Sequence, residues 1–172
     1  MTVKTVEKDA QQLTLTLTAE FDAPVESVWR LWENPRKLER WWGPPGYPAT
    51  FVDHDFGPDG TVTYYMTSPE GEKYHGWWKI VAIDAPRTLE FEDGFADDEG
   101  NPNPDMPTTM TAVSLEDADG TGSRTRMTLR SRFSSLEAME QMSEMGMEEG
   151  LRAAVGQMDA LLVEAVNPGV DA

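Results

Sequence analysis

The sequence predicts an α+β fold in which a curved antiparallel sheet of about seven strands wraps around a long C-terminal helix. Strict alternation of apolar and polar residues from Leu13 to Phe21 is typical of a half-buried strand. Between residues 50 and 133, further short alternating segments are separated by turns rich in Gly, Pro and Asp, as in an antiparallel meander. An apolar stripe at helical spacing from Met147 to Ala165 predicts an amphipathic helix, and the sheet and this helix must bury their apolar faces together.

Two short helices are expected directly after the first strand. Pro24 suits a first helical position, and the apolar residues that follow it share one helical face. Asn34-Pro35 ends this helix and begins a second one, which carries Trp41 and Trp42. A rigid Gly-Pro-Pro-Gly turn then leads into the meander.

The C-terminal helix is expected to begin at a capping box formed by Ser134 and Glu137 and to run to about Val166. The Asn-Pro-Gly sequence that follows is a helix breaker. The predicted organisation is therefore a flexible N-terminus (1–11), a single domain (12–166) and a flexible tail (167–172).

The composition excludes several classes of function. The 172 residues include 14 basic and 31 acidic ones, and the net charge of −17 argues against nucleic acid or an anionic membrane as a partner. Cysteine is absent, which excludes disulfides and thiolate chemistry. The sequence shows no signal peptide and no apolar segment of membrane-spanning length. We expect a cytoplasmic protein.

Short motifs between residues 12 and 163 carry a resemblance to a known family. They are Phe21-Asp22-Ala23-Pro24 with Val28-Trp29, Asn34-Pro35 with Trp41-Trp42, Gly76-Trp77, Asp84-Ala85-Pro86 and Glu149-Gly150. In order and spacing they resemble the Aha-type domain, related to the activator of the heat-shock chaperone ATPase, in the helix-grip superfamily of START-like and birch-pollen-allergen-like proteins (SRPBCC). The resemblance implies a helix-grip fold and, as in many relatives, a cavity between the sheet and the terminal helix that holds apolar molecules.

The expected cavity gives a set of candidate ligand-binding residues: aromatic and sulfur-containing side chains for the apolar lining, with histidine and tyrosine for the few polar contacts. The candidates are Trp42, His54, Tyr64, Met66, His75, Trp77, Met147 and Leu151. The alternative for the tryptophans is that they only pack the short helices against the sheet. The alternative for each histidine is a hydrogen-bonded group in the core.

The face of the sheet on which these candidates lie follows from strand alternation. His54 has the same parity as Val52 and Phe56, which we expect to be buried. His75 has the same parity as Trp77, Val81 and Ile83, and a bulge at Gly76 would reverse this assignment.

Two charged patterns have ordinary structural explanations. Four arginines at alternate positions from 124 to 132 are expected on the solvated outer face of a strand, rather than at a nucleic-acid site. The acidic loop from Asp97 to Asp105 superficially suggests calcium, but Pro102 stands where an EF-hand loop needs Gly. No metal site and no cofactor are expected. No nucleophile, zinc-protease or P-loop motif is present, so no catalytic residue is predicted.

Three functions remain open at this point. The first is binding of a small apolar molecule in the cavity. The second is a protein-interaction module that contacts a chaperone or client protein and takes part in the stress response. The third is a cyclase- or dehydratase-like enzyme that uses a histidine or tyrosine of the cavity as acid or base. In each case the protein would act as a monomer or homodimer.

Overall fold

The computed structural model describes residues 3–166. These residues form one antiparallel sheet of eight strands and five helices, and this confirms the predicted α+β class with one strand more than expected. The elements are β1 (Val3–Asp9), β2 (Thr14–Phe21), α1 (Val25–Glu33), α2 (Pro35–Trp42), β3 (Ala49–His54), β4 (Thr61–Thr67), β5 (Lys73–Asp84), β6 (Thr88–Phe95), β7 (Thr109–Asp117), β8 (Thr125–Phe133), α3 (Leu136–Glu144), α4 (Met147–Gly156) and α5 (Met158–Val166).

The additional strand is β1, which forms one edge of the sheet in the order β1-β2-β8-β7-β6-β5-β4-β3. Within the N-terminal segment 1–11 that was predicted to be flexible, Val3–Asp9 pair with β2 as a strand. Backbone hydrogen bonds hold β1, and most of its side chains are exposed, so its sequence lacks the alternation that marks a half-buried strand. The described part of the chain does not include residues 1 and 2 or the predicted tail, residues 167–172.

The C-terminal helix is divided into three segments instead of running unbroken. Gly146 has a φ of +84°, a left-handed conformation that interrupts the helix between α3 and α4. The first segment is capped by Ser135 and not by Ser134, since the Ser135 hydroxyl accepts a hydrogen bond from the Ala138 N–H at 3.1 Å. At the next break, the Gln157 side chain donates to two backbone carbonyls at the end of α2, which ties the C-terminal helices to the two short ones.

The core joins α1 and α2 to the sheet through tryptophan side chains. Trp32, Trp41 and Trp78 are completely buried. The Trp32 and Trp41 rings meet edge to face with centroids 4.7 Å apart, and Trp78 stacks on Phe91 at 4.2 Å. The Trp41 indole N–H donates to the Leu31 carbonyl at 2.9 Å. This packing fixes the two short helices at one end of the sheet.

In two strands, β3 and β5, the side chains that face the core differ from those that simple alternation over the whole strand predicts, and each strand has a register shift, between Phe51 and Asp53 and between Ile80 and Ala82. A register shift between Phe51 and Asp53 leaves Val52 64% exposed, so the expectation that Val52 is buried is wrong. In β5, Trp78 faces the core and its neighbour Trp77 lies on the opposite, outer face. Within residues 3–166, no helix has the length and hydropathy that crossing a membrane requires.

Candidate functional site

A cavity of about 250 Å³ lies between the concave face of the sheet and the helices α2, α3 and α4. Strands β4 to β8 form its floor, and the two helical segments on either side of Gly146 form its roof. Six of the side chains predicted for a cavity border it: Trp42, Tyr64, Met66, His75, Met147 and Leu151.

Tyr64 projects from β4 into the cavity at a position where its neighbour on β5 is a glycine. Tyr64 and Gly76 are paired in register, and a Cβ on Gly76 would lie 2.5 Å from the phenol oxygen. Gly76 therefore leaves the space in which the Tyr64 ring lies across β5. The ring also stacks on Phe51, with centroids 5.0 Å apart. Burial, together with the charge of Asp93, raises the pKa of Tyr64 far above its usual value, so the hydroxyl stays protonated.

Trp42 closes the α2 end of the cavity. Its ring meets Trp78 edge to face at 4.9 Å and Tyr64 at 6.2 Å. Among the described residues, the buried indole N–H groups of Trp32, Trp42 and Trp78 have no hydrogen-bond partner, and of these three side chains Trp42 borders the cavity. An unsatisfied buried donor is costly, so the Trp42 N–H, next to the Tyr64 ring, marks the polar end of the cavity.

Asp93 is the residue of this site that the sequence analysis missed. It lies on β6 between Trp78 of β5 and Thr109 of β7, and it borders the cavity. Burial raises the pKa of its carboxyl group to about 7. The signal was present in the sequence, because Asp93 has the same strand parity as the buried Leu89 and Phe91.

No charged group compensates the Asp93 carboxyl. Within residues 3–166, it accepts no hydrogen bond and forms no ion pair with Lys, Arg or His. Tyr64, which borders the same cavity, is the group whose pKa responds to the Asp93 charge. A carboxyl group without a partner beside open space can accept a hydrogen bond from a bound molecule.

The roof of the cavity is made of flexible and small residues. Met142 of α3 and Met147 and Leu151 of α4 are partly buried and border the cavity. Gly150 also borders it, and a Cβ added there would meet no atom within 4 Å. Unbranched methionines adapt to ligands of different shape, and the missing side chain at Gly150 contributes to the open volume.

Two of the predicted site residues do not border the cavity. His54 lies beside α1, where its ring stacks on Phe56 at 4.9 Å and its Nε2 is 3.4 Å from the Trp32 carbonyl oxygen. Burial lowers the pKa of His54. Trp77 lies on the outer face, where its indole N–H donates to the Phe95 carbonyl at 3.0 Å.

His75 borders one end of the cavity, but its ring packs on Tyr65, with the ring centroids 5.5 Å apart. Strand alternation places both rings on the outer face, because their neighbours Tyr64 and Gly76 face inward. Tyr64 therefore projects into the cavity while both histidine rings pack elsewhere, although all three were predicted to supply its polar contacts.

The remaining charged patterns have structural partners. Arg124 and Arg126 both form ion pairs with Glu20, at 3.2 and 3.6 Å. In the acidic loop, the Asp97 carboxylate accepts hydrogen bonds from the backbone N–H groups of Glu99 and Asn101. Within residues 3–166, no group of three or more His, Asp or Glu side chains could hold a metal ion.

A curved antiparallel sheet that encloses a cavity with C-terminal helices defines the helix-grip class of protein. The sequence profile described as Activator of Hsp90 ATPase homolog 1-like protein matches residues 22–163. The chain belongs to this family.

Solved structures show the same architecture over nearly the whole chain. The crystal structure of protein Ms6760 from Mycobacterium smegmatis is 49% identical, with a TM-score of 0.85, and the match covers 93% of this chain and 96% of that one. The solution structure of a protein from Arthrobacter aurescens is 52% identical, with a TM-score of 0.89 and coverage of 95% and 93%. A protein from Staphylococcus epidermidis is 25% identical, with a TM-score of 0.80 and coverage of 94% and 95%. A search of curated proteins finds no match.

Proposed function

We propose that this protein binds a small, mostly apolar molecule in the cavity between the sheet and the C-terminal helices. The observation that carries the proposal is the open volume of about 250 Å³, bordered by Trp42, Met66 and Leu151 on its apolar side and by the Tyr64 hydroxyl on its polar side. Ligand sites are usually such enclosed, largely apolar spaces with a few polar groups that orient the ligand.

The apolar surface that a ligand buries in this cavity is large enough to give measurable affinity. A ligand that covers roughly 300 Å² of apolar surface gains about 7 kcal/mol at 25 cal/mol per Å², before the entropy costs of association. The polar contacts then decide orientation and selectivity. As part of the same proposal, the ligand-binding protein acts in the cytoplasm as a monomer or homodimer.

The chaperone-activator function in the family description and the enzyme alternative have no comparable support among the described residues. Among the described residues, neither histidine pairs with Tyr64 or Asp93 across the cavity, and an acid-base enzyme that used a cavity histidine would need a positioned partner of this kind. The binding proposal therefore has the stronger structural argument.

The proposal is tested by filling the cavity at Gly150. A Gly150→Leu variant places a side chain into open space, and we expect it to weaken binding of 4-phenylbutanol at least about tenfold, as measured by calorimetry. Gly156→Leu is the matched control: it is the same change in the same helix, also without an atom within 4 Å, but away from the cavity. Equal affinity in both variants, or no binding by the unmodified protein, contradicts the proposal.

A further inference from the structure

The polar end of the cavity has an unusual electrostatic composition. Asp93 is the one carboxyl group among the described lining residues, and no Lys or Arg of the described chain borders the cavity. The other titratable groups at its border are Tyr64, Tyr74 and His75, and the helices of the roof contribute apolar residues. The cavity therefore contains a potential negative charge and no fixed positive one.

This arrangement makes the charge of the ligand decisive. A neutral apolar ligand that fills the cavity removes water from the Asp93 carboxylate and supplies no charge or hydrogen bond to replace it, so the carboxyl group must take up a proton. An anionic ligand adds like-charge repulsion to the same cost. A ligand with a protonated amine instead supplies both the opposite charge and the hydrogen-bond donor that the carboxylate lacks.

Two further features favour a cation at this position. The aromatic rings of Trp42 and Tyr64 border the cavity, and such rings attract cations through their negative faces. The net charge of −17 raises the local concentration of cations around the protein.

We infer that the ligand of this cavity is an apolar amine, with its protonated nitrogen on the Asp93 carboxylate and its hydrocarbon part against the methionines and Leu151 of the roof. The inference rests on the proposed ligand-binding function and specifies the chemical class of the ligand. Asp93 is then the residue that selects amines over alcohols and carboxylates of the same shape.

The experiment compares three probes with the same hydrocarbon body: 4-phenylbutylamine, 4-phenylbutanol and 4-phenylbutanoate. Their affinities are measured by calorimetry at pH 8.5, where the Asp93 carboxyl is ionised, and at 0.15 M salt, which weakens attraction to the acidic surface. We expect the amine to bind at least about tenfold more tightly than the alcohol, and the carboxylate more weakly than both.

Asp93→Asn should abolish the preference, so that the amine binds no more tightly than the alcohol. Glu92→Gln is the matched control, since it removes a carboxylate from the outer face of the same strand and should retain the preference. If Asp93→Asn does not fold, the pH dependence of ligand binding by the unmodified protein tests the role of Asp93 instead. Affinity for the amine should rise between pH 6 and pH 8.5, and affinity for the alcohol should not.

The outcomes separate the two proposals. Binding of the alcohol that Gly150→Leu abolishes, without a preference for the amine, overturns the inference and leaves the cavity as a binding site. Amine binding that persists in Gly150→Leu places the amine on the surface and also overturns the inference. Failure of all three probes to bind overturns the proposed function itself.

Discussion

Asp93 combines two properties that rarely occur together: it is a charged residue type, and it is partly buried beside an internal cavity without a compensating partner among residues 3–166. Such a group lowers the stability of the folded protein whenever it is ionised. A position of this kind is found more often at functional sites than elsewhere, because binding or catalysis uses the perturbed group. The residue thus links the stability of the protein to its proposed function.

The stability effect of Asp93 depends on pH in a defined direction. Its pKa in the folded protein, about 7, is raised above the ordinary value, so its contribution is favourable below about pH 4 and is lost as pH rises through 7. The free energy of unfolding of Asp93→Asn, measured in urea, should therefore exceed that of the unmodified protein by an amount that grows from pH 4 to pH 8. Because the pKa of Asp93 is raised from 3.8 to about 7, the upper limit of this difference in the free energy of unfolding is about 4 kcal/mol. A constant difference across this range would show that Asp93 is not buried as described.

At the scale of the element, the C-terminal helix shows how a glycine can divide a helix that the hydrophobic pattern alone would continue. The apolar stripe continues across Gly146, and the residues on both sides border the cavity. The left-handed conformation at Gly146 changes the direction of the chain between α3 and α4, so that Met142 and Met147 both reach the cavity.

This break can be tested by a single substitution. Alanine normally stabilises a helix relative to glycine, but at a φ of +84° its Cβ is strained, so Gly146→Ala should lower the free energy of unfolding by about 1 kcal/mol. Gly156→Ala, at the end of α4 with ordinary backbone geometry, should be neutral or stabilising. Both are measured by urea denaturation. A stabilising effect of Gly146→Ala would mean that α3 and α4 form a continuous helix.

For the whole molecule, the dominant electrostatic feature is the excess of acidic residues. Seven ion pairs are formed within residues 3–166, and four of them involve Arg124 or Arg126 on the outer face of the sheet. Most of the acidic side chains within residues 3–166 take part in none of these pairs, and the mutual repulsion of the acidic groups disfavours the compact state.

Screening of this repulsion should raise thermal stability. We expect the Tm, measured by circular dichroism at pH 7.5, to increase as salt is raised from about 10 mM to about 200 mM, where the screening length falls from roughly 30 Å to below 10 Å. NaCl and KCl at equal ionic strength should give the same increase, which distinguishes screening from binding of a particular ion. A Tm that stays constant or falls would show that the acidic surface does not limit stability.

The sequence by itself determined the type and order of most elements. Alternation of period two marked β2 and the meander, helical spacing marked α1, α2 and the C-terminal segments, and Gly- and Pro-rich turns separated them. Because these signals are local, they can be recognised in the sequence without knowing which elements pack against one another. They also placed Tyr64, Met147 and Leu151 on apolar faces, and those residues border the cavity.

Tertiary structure decided what local patterns cannot encode. A one-residue register shift after Phe51 leaves Val52 exposed, and Trp77 lies on the outer face of the sheet. Local patterns do not predict this, because the burial of each face depends on register and on the elements packed against it. The strand β1 is held by backbone pairing with β2, which side-chain patterns do not report. Strand parity in the sequence places Asp93 on the face of Leu89 and Phe91, but only the packing of β5, β7 and the helical roof around it shows the cavity and the burial that raises the pKa of its carboxyl group.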